Sequence, residues 1–406
     1  LIMKYPLAIL ALVAAVQAAP LLAPAANQRV IPDSYIIVLN PDMHALTNNG
    51  SSVTATAFKN KFDALAKNHN GRNGGPTPAI HREYTTALSG FHATLDATTL
   101  KAIQADPDVA YIEQDSVVNA LASQPNPPAT WGLVRISQHA KDLTKPYYYN
   151  NLAGTGVTAY IIDTGILASH VEFQGRASNG ANFVSGSPNT DENGHGTHIA
   201  GIVGAVTYGV AKKVKLVGVK VLDKQGAGAV SGVVAGMDWV ATQAQQGAPG
   251  KSVVNMSLGG GSSAAVNNAA QHIFAYAPLF AAAGGSGPGT GCNTSPAGAP
   301  NVYTVATTDA NDAVASFSST GPCVEIFAPG VGIKSTWIGS NTATNTLSGS
   351  SMSAGFATGA AALFAAQGGL TTSQSIYNKL SSECTTGLIT GNLGGAPNCL
   401  LYNGGP

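Results

Sequence analysis

Charge is scarce in this chain: only 10% of its 406 residues are Asp, Glu, Lys or Arg, 20 of each sign, for a formal net charge of zero. With no basic excess, nothing in the balance points to nucleic acid or an anionic membrane surface. Long apolar runs are also missing. The longest, Leu7 to Val16, is far short of the ~20 residues a membrane helix needs. Three signatures of peptide- or ester-cleaving enzymes are absent as well. Asp163-Thr164-Gly165 occurs without the second Asp-Thr/Ser-Gly of an aspartic protease, there is no His-Glu-x-x-His for zinc, and there is no Gly-x-Ser-x-Gly elbow. Cysteine is limited to four residues, all in the C-terminal third.

Gly, by contrast, is abundant at 48 residues, and the chain is long enough for two domains with a large buried core. Lys4, the apolar run and Val16-Gln17-Ala18 form the pattern of a secretory signal, with Met3 as its start and cleavage expected after Ala18 or Ala19. The expected location is therefore secreted and extracellular, where disulfides can form.

Periodicity divides the remainder. Ser34–Leu39 reads as a strand, and Thr54–Asn68 as an amphipathic helix with Phe58, Phe62 and Leu65 on one face. Tyr84–Asp96 reads as two strands broken at Ser89-Gly90. Asp96 is placed to cap a helix over Ala97–Ala105, and Val109–Glu113 closes as a strand. This order predicts a small α+β, ferredoxin-like βαββαβ unit. It carries no catalytic constellation, which suits a folding or inhibitory module. Leu121–Thr130, rich in Pro and small polar residues, reads as an exposed linker with a processing site near Asn119–Ala122.

From Trp131 onward, apolar runs at Val157–Ile162, Leu216–Leu222, Val253–Leu258, Leu279–Ala283 and Val302–Ala306 suit strands covered on both faces. Helical patterns such as Val230–Gln246 and Ala264–Tyr276 lie between them. The alternation predicts an α/β domain, a mostly parallel sheet with helices on both faces.

Three motifs carry chemistry, in the order Asp, His, Ser. Asp163 ends a buried strand in Ile162-Asp163-Thr164-Gly165. His195 opens a helix in Asn193-Gly194-His195-Gly196-Thr197-His198. Ser351 opens an Ala/Gly-rich helix in Ser348-Gly349-Ser350-Ser351-Met352-Ser353. A serine hydroxyl becomes a useful nucleophile only beside a base that is itself held in place, and this chain order is one known solution to that geometry.

With these motifs, the chain resembles the subtilisin-like serine proteases, in particular their fungal proteinase K branch. The likeness extends to Val109-Ala110-Tyr111-Ile112-Glu113-Gln114-Asp115, Trp131-Gly132-Leu133-Val134-Arg135-Ile136, Val254-Asn255-Met256-Ser257-Leu258-Gly259-Gly260 and Ser335-Thr336-Trp337-Ile338-Gly339. The resemblance implies a secreted serine endopeptidase made as a proenzyme: residues 1–19 signal peptide, 20–120 inhibitory propeptide, 121–406 peptidase domain. It implies Ser351 as nucleophile, His195 as base and Asp163 as its orienting carboxylate, with no cofactor for catalysis. Gly226-Ala227-Gly228 and Ser257-Leu258-Gly259 would form the two walls that bind a substrate backbone. The implied partners are protein and peptide substrates and the chain's own propeptide, with neither nucleic acid nor membrane, and the implied state is a monomer.

The oxyanion hole departs from the family pattern. It would comprise the Ser351 N–H, the position of Gly285 and the Ser350 hydroxyl, but the family's Asn donor is replaced by Gly285 in Ala282-Ala283-Gly284-Gly285-Ser286. The family's Thr-Pro-His after the nucleophile is here Ala354-Gly355-Phe356. A pseudoprotease that binds peptides or its propeptide without cutting is the alternative reading. A structural calcium site would use Pro300, Val302 and Glu325, with Glu in place of the family's Asp. Cys292, Cys323, Cys384 and Cys399 allow three pairings. The resemblance favours Cys292–Cys323 with Cys384–Cys399, the first closing a loop that could contribute on the order of 3–4 kcal/mol. Asn49-Gly50-Ser51 and Asn293-Thr294-Ser295 are glycosylation sequons, while Asn255-Met256-Ser257 falls in a core strand.

Overall fold

The computed structural model describes residues 18–23, 30–40, 53–67, 75–84, 90–116, 121–124, 131–289 and 291–405. The chain divides into two compact units, Leu1–Val118 and Asn119–Pro406. Most of the signal segment, the sequon at Asn49 and residues 119 and 120 of the expected processing region lie outside the described residues.

The N-terminal unit contains β1 (Leu21–Leu22), β2 (Val30–Leu39), α1 (Val53–Lys67), β3 (Ala79–Tyr84), β4 (Gly90–Thr94), α2 (Ala97–Gln104) and β5 (Val109–Ser116). Its sheet order is β1-β5-β2-β4-β3, so β2 to β5 with their two helices make the expected βαββαβ unit and β1 adds a parallel edge strand. The first of the two strands expected from Tyr84 begins earlier, at Ala79, because Ala79 and Ile80 already pair with Thr94 and Ala93. Asp96 caps α2 by accepting the Thr99 N–H at 2.6 Å. Phe58 and Phe62 of α1 pack with Phe91, Ile37 and Ile112 of the sheet in one core.

The C-terminal unit begins at β6 (Leu121–Gln124), which pairs antiparallel with β7 (Tyr147–Asn150) on the far side of α3 (Trp131–Ile136). The expected linker over Leu121–Thr130 therefore starts as a strand, its main chain satisfied by that pairing. A nine-stranded sheet follows, in the order β19-β20-β16-β15-β13-β11-β8-β10-β9. Its strands are β8 (Thr158–Asp163), β9 (Ala177–Asn182), β10 (Lys215–Lys220), β11 (Ser252–Met256), β13 (Leu279–Ala282), β15 (Tyr303–Thr308), β16 (Val324–Pro329), β19 (Thr385–Thr386) and β20 (Cys399–Leu400). All pairings are parallel except β19 with β20. Two ribbons, β12 (Gly260–Gly261) with β14 (Thr294–Ser295) and β17 (Ile333–Thr336) with β18 (Thr344–Leu347), lie outside it.

Helices cover both faces, as the continuous apolar strands require. On one side α4 (His195–Gly204) and α7 (Ser350–Gln367) share a core with Ile161, Leu216 and Phe280. On the other, α5 (Val230–Gln246) and α6 (Ala264–Phe274) pack on Ile162, Val219 and Val254. The helix α8 (Ser373–Glu383) follows α7 and brings Tyr377 and Leu380 into the first core. The run expected to extend to Leu222 stops at Lys220, because the N–H groups of Val221 and Leu222 both turn to the Asp163 carbonyl. Disulfides join Cys292 to Cys323 and Cys384 to Cys399.

Strand β8 is third from one edge of the sheet. The chain leaves it for β9 and β10 on one side and for β11 on the other. A reversal of this kind opens a crevice at the carboxyl ends of the strands, and Asp163 is the carboxyl-terminal residue of β8.

Candidate functional site

Asp163 is fully buried, and its carboxylate accepts the Thr164 N–H at 2.7 Å. The same carboxylate faces His195 Nδ1 at 2.8 and 2.9 Å. A carboxylate can only accept, so Nδ1 carries the proton and Nε2 presents a lone pair. Burial acts to lower the basicity of His195. The charge and hydrogen bond of Asp163, with the charge of Asp191, outweigh it and hold the imidazole above its ordinary range.

Sequence reasoning missed Asp191, whose carboxylate organises the turn ahead of α4. Its Oδ1 accepts Thr164 Oγ1 and the N–H groups of Asn193 and Gly194, and Oδ2 accepts the N–H and Oγ1 of Thr197, all between 2.6 and 2.9 Å. Thr164 Oγ1 in turn accepts the Gly196 N–H at 2.9 Å. The strand end bearing Asp163 and the helix start bearing His195 are thus tied together. The signal available was a small acidic residue shortly before a helix start. Gly194 is required here: its φ is +107°, and a Cβ would stand 2.5 Å from the Trp337 ring.

Ser351 lies in the first turn of α7. Its Oγ donates to the Ser257 carbonyl at 3.2 Å, while Ser257 Oγ donates to the Ser351 carbonyl at 2.8 Å. Asn255 Nδ2 donates to Ser257 Oγ at 2.9 Å, and Thr358 Oγ1 stands 3.0 Å from Asn255 Oδ1. This buried network fastens α7 to the end of β11. Asn255 is fully buried, so the sequon it begins is a core element.

A cleft of about 540 Å³ opens at these strand ends. His195, Gly226-Ala227-Gly228 and Ser257-Leu258-Gly259 all line it, so the structure brings both expected substrate walls to the histidine. Ala227 is less available than expected. Its carbonyl accepts the Asp223 N–H and its N–H donates to Asp223 Oδ1, which closes a tight turn.

The groups expected around an oxyanion differ in readiness. The Ser351 N–H belongs to a first helical turn, which leaves it without an intrahelical acceptor. Ser350 Oγ is engaged with Gly284, accepting its N–H at 3.0 Å and facing its carbonyl at 3.1 Å. Gly285 is exposed, has no left-handed φ, and a Cβ there would meet nothing within 4 Å.

His198 points away from His195, with Nε2 toward the carbonyls of Ile333 and Asn345 at 3.2 Å, and burial pushes it down to about 4. It is a core group. Val302 is buried just ahead of β15, and Pro300 is exposed. Glu325 is the extra residue of a bulge, since Thr304 pairs with Val324 and Val305 with Ile326. Burial pushes its carboxyl up, and among the described residues it has no ion-pair partner. Its side chain nonetheless stands on an exposed position of β16, and among the described residues no group of three or more His, Cys, Asp or Glu side chains is gathered to hold a metal ion.

Residues 154–380 match the model of the subtilase family, and residues 34–121 match that of peptidase inhibitor I9. The chain is 41% identical to subtilisin-like protease 2 of Pseudogymnoascus destructans, covering 93% of this chain and 90% of that one. It is 46% identical to the subtilisin-like serine protease AsES of Sarocladium strictum, covering 80% and 82%. It is 41% identical to a cuticle-degrading protease of Metarhizium anisopliae, covering 95% and 93%. Among solved structures, a cold adapted subtilisin-like serine proteinase superposes with a TM-score of 0.64 at 43% identity, covering 68% of this chain and 98% of that one.

Proposed function

The chain belongs to the subtilase family of serine proteases and carries an I9-type inhibitor propeptide, and on that premise we propose that Asp163, His195 and Ser351 are its catalytic triad. One observation carries the reading. The buried Asp163 holds His195 by Nδ1 at the edge of a cleft whose other wall, Ser257, is hydrogen-bonded to Ser351.

A peptide enters as an extended strand between Gly226–Gly228 and Ser257–Gly259. Rotation about χ1 moves Ser351 Oγ from the Ser257 carbonyl toward His195 Nε2, a hydrogen bond that tightens when substrate binds. Oγ attacks the scissile carbonyl carbon as Nε2 takes its proton. Asp163 stabilises the imidazolium. The oxyanion receives the Ser351 N–H. As the C–N bond breaks, His195 protonates the departing amine, leaving an acyl-enzyme. Water then attacks the ester, again with His195 as base, and releases Ser351. The substrates are proteins and peptides, and no step calls on a cofactor. The second reading, a pseudoprotease, rests on Gly285 alone.

The chain is read as a secreted monomer, with residues 1–19 as signal, 20–120 as propeptide and 121–406 as peptidase domain. Ala19 is buried and its N–H donates to the Gln104 carbonyl at 2.7 Å. That favours the earlier of the two expected cleavage points, after Ala18, and moves the boundary by one residue, so that the signal ends at Ala18 and the propeptide begins at Ala19. Pairing of Leu121 and Ala122 with Asn150 and Tyr149 favours propeptide cleavage ahead of Leu121, since a paired strand resists proteolysis.

The test is self-processing. Wild-type chain made in a protease-free system should be cut near residues 119–122, and Ser351→Ala chain should accumulate uncut. Cutting of the variant at the wild-type rate would contradict the assignment of Ser351, and a wild-type chain that stays uncut would leave the pseudoprotease.

Calcium, held by the carbonyls of Pro300 and Val302 and the Glu325 carboxylate, would be structural, adding stability by binding the native state alone. The gain is about 2.7 kcal/mol at a concentration a hundredfold above Kd. Melting of mature protein should shift downward with chelator, and Glu325→Ala should abolish that shift. Identical melting curves with and without chelator would remove the site.

A further inference from the structure

Lys220 is fully buried at the end of β10, in register with Asp163 on the neighbouring strand. Its ammonium donates to the carbonyl of Thr164 at 2.8 Å and to that of Leu222 at 3.1 Å, and stands 3.7 Å from the Glu192 carboxylate. A charge withdrawn from water costs several kcal/mol unless its partners compensate. An apolar side chain would fill the same space without that cost, so the three directed contacts are what the ammonium adds. They reach three different parts of the site. Thr164 follows the triad carboxylate and hydrogen-bonds to the helix start of His195. Glu192 lies in the turn that precedes His195. Leu222 lines the cleft and begins the segment that runs to Gly228.

We infer that Lys220 is a positioning residue that fixes the substrate-binding edge, Leu222 to Gly228, in register with the Asp163–His195 pair. The inference rests on the peptidase reading above. It touches neither substrate nor the reacting atoms; it acts through the Leu222 and Thr164 carbonyls. Its signature is therefore selective. Extended peptides, which lie along this edge, depend on it. A minimal ester that engages only the nucleophile and oxyanion donors does not.

The experiment compares wild type with Lys220→Met in mature protein, on a tetrapeptide anilide and on a minimal acyl ester, with active sites counted by a serine titrant. The expected result is a loss of about tenfold in kcat/KM for the tetrapeptide, the size of one or two misplaced main-chain hydrogen bonds. It should appear mainly in KM, with the ester within about threefold per titrated site. Glu192→Gln, at a half-buried position, loosens the same ammonium without emptying the core and should lower tetrapeptide turnover in the same selective way. Equal losses on both substrates, or no loss on either in both variants, would overturn the proposal. Affinity for an unreactive tetrapeptide amide reads the same edge without turnover. A wild type that binds this amide but hydrolyses nothing defeats the peptidase reading, while unchanged affinity in both variants defeats the role of Lys220.

Discussion

Asp163→Asn is expected to lower kcat by about 10⁴ while leaving KM nearly unchanged. The side chain keeps its shape, and its remaining oxygen can still accept the Thr164 N–H. What changes is the group facing His195. An amide that donates toward Nδ1 forces the ring proton onto Nε2, where Ser351 needs a lone pair, and the negative charge that stabilised the imidazolium is gone. The pH profile separates this from a folding defect. In the wild type only the neutral imidazole is a base, so activity falls as pH drops through the pKa of His195. That pKa lies above the ordinary value: burial opposes the shift, and Asp163 with Asp191 overcomes it. With the Asp163 charge removed, burial gains weight and the acidic limb of kcat/KM should move to lower pH. A variant that loses less than tenfold and keeps the wild-type limb would contradict the role of Asp163.

The second large effect is a gain. Gly285→Asn is expected to raise kcat by up to about 10²–10³, or ~2.7–4 kcal/mol, with little change in KM. The oxyanion exists only in the transition state, so a donor aimed at it stabilises little in the ground state. The backbone permits the substitution, because Gly285 has no left-handed φ and its Cβ position is open for 4 Å. The loop is also anchored beside the nucleophile, with Gly284 held by Ser350 Oγ and the Ser286 N–H by Ser319 Oγ at 3.1 Å. If Ser286 Oγ already serves as donor, Ser286→Ala should lose much of kcat and the gain at Gly285 should be small. A wild type as fast as Asn-bearing relatives, with Ser286→Ala silent, would contradict the idea of a missing donor.

What the sequence made legible was what local pattern controls. Buried parallel strands are written as unbroken apolar runs, so β8, β11, β13 and β15 were found close to their true bounds, as was α5 with its limits at Val230 and Gln246. Periodicity also exposed the βαββαβ unit. The misses are long-range. Nothing in Leu121–Gln124 announces a strand, because its partner lies beyond α3. Leu222 looks like strand, but competition for the Asp163 carbonyl ends β10 at Lys220.

The site divides the same way. Asp163, His195 and Ser351 sit in motifs whose glycines and helix starts mark them. The supporting polar groups do not. Asp191, Asn255 and Lys220 acquire meaning only when the fold surrounds them with donors and carbonyls from distant segments, and a lysine inside the apolar run Leu216–Leu222 carries no local mark of the carbonyls it meets. Ser350 was expected to face the oxyanion, yet its hydroxyl is held by the Gly284 main chain, a partner 66 residues earlier that no local pattern reveals.

The central claim is that Ser351 is an activated nucleophile in a working peptidase. The measurement that tests it most directly is covalent labelling of mature protein with a serine-directed fluorophosphonate, mapped by peptide mass and followed alongside hydrolysis of a general protein substrate. The expected result is one label per chain, on Ser351, with hydrolysis lost in step with labelling and with both absent in Ser351→Ala. A protein that takes no label at Ser351, or that hydrolyses substrate equally well after complete labelling there, would contradict the account.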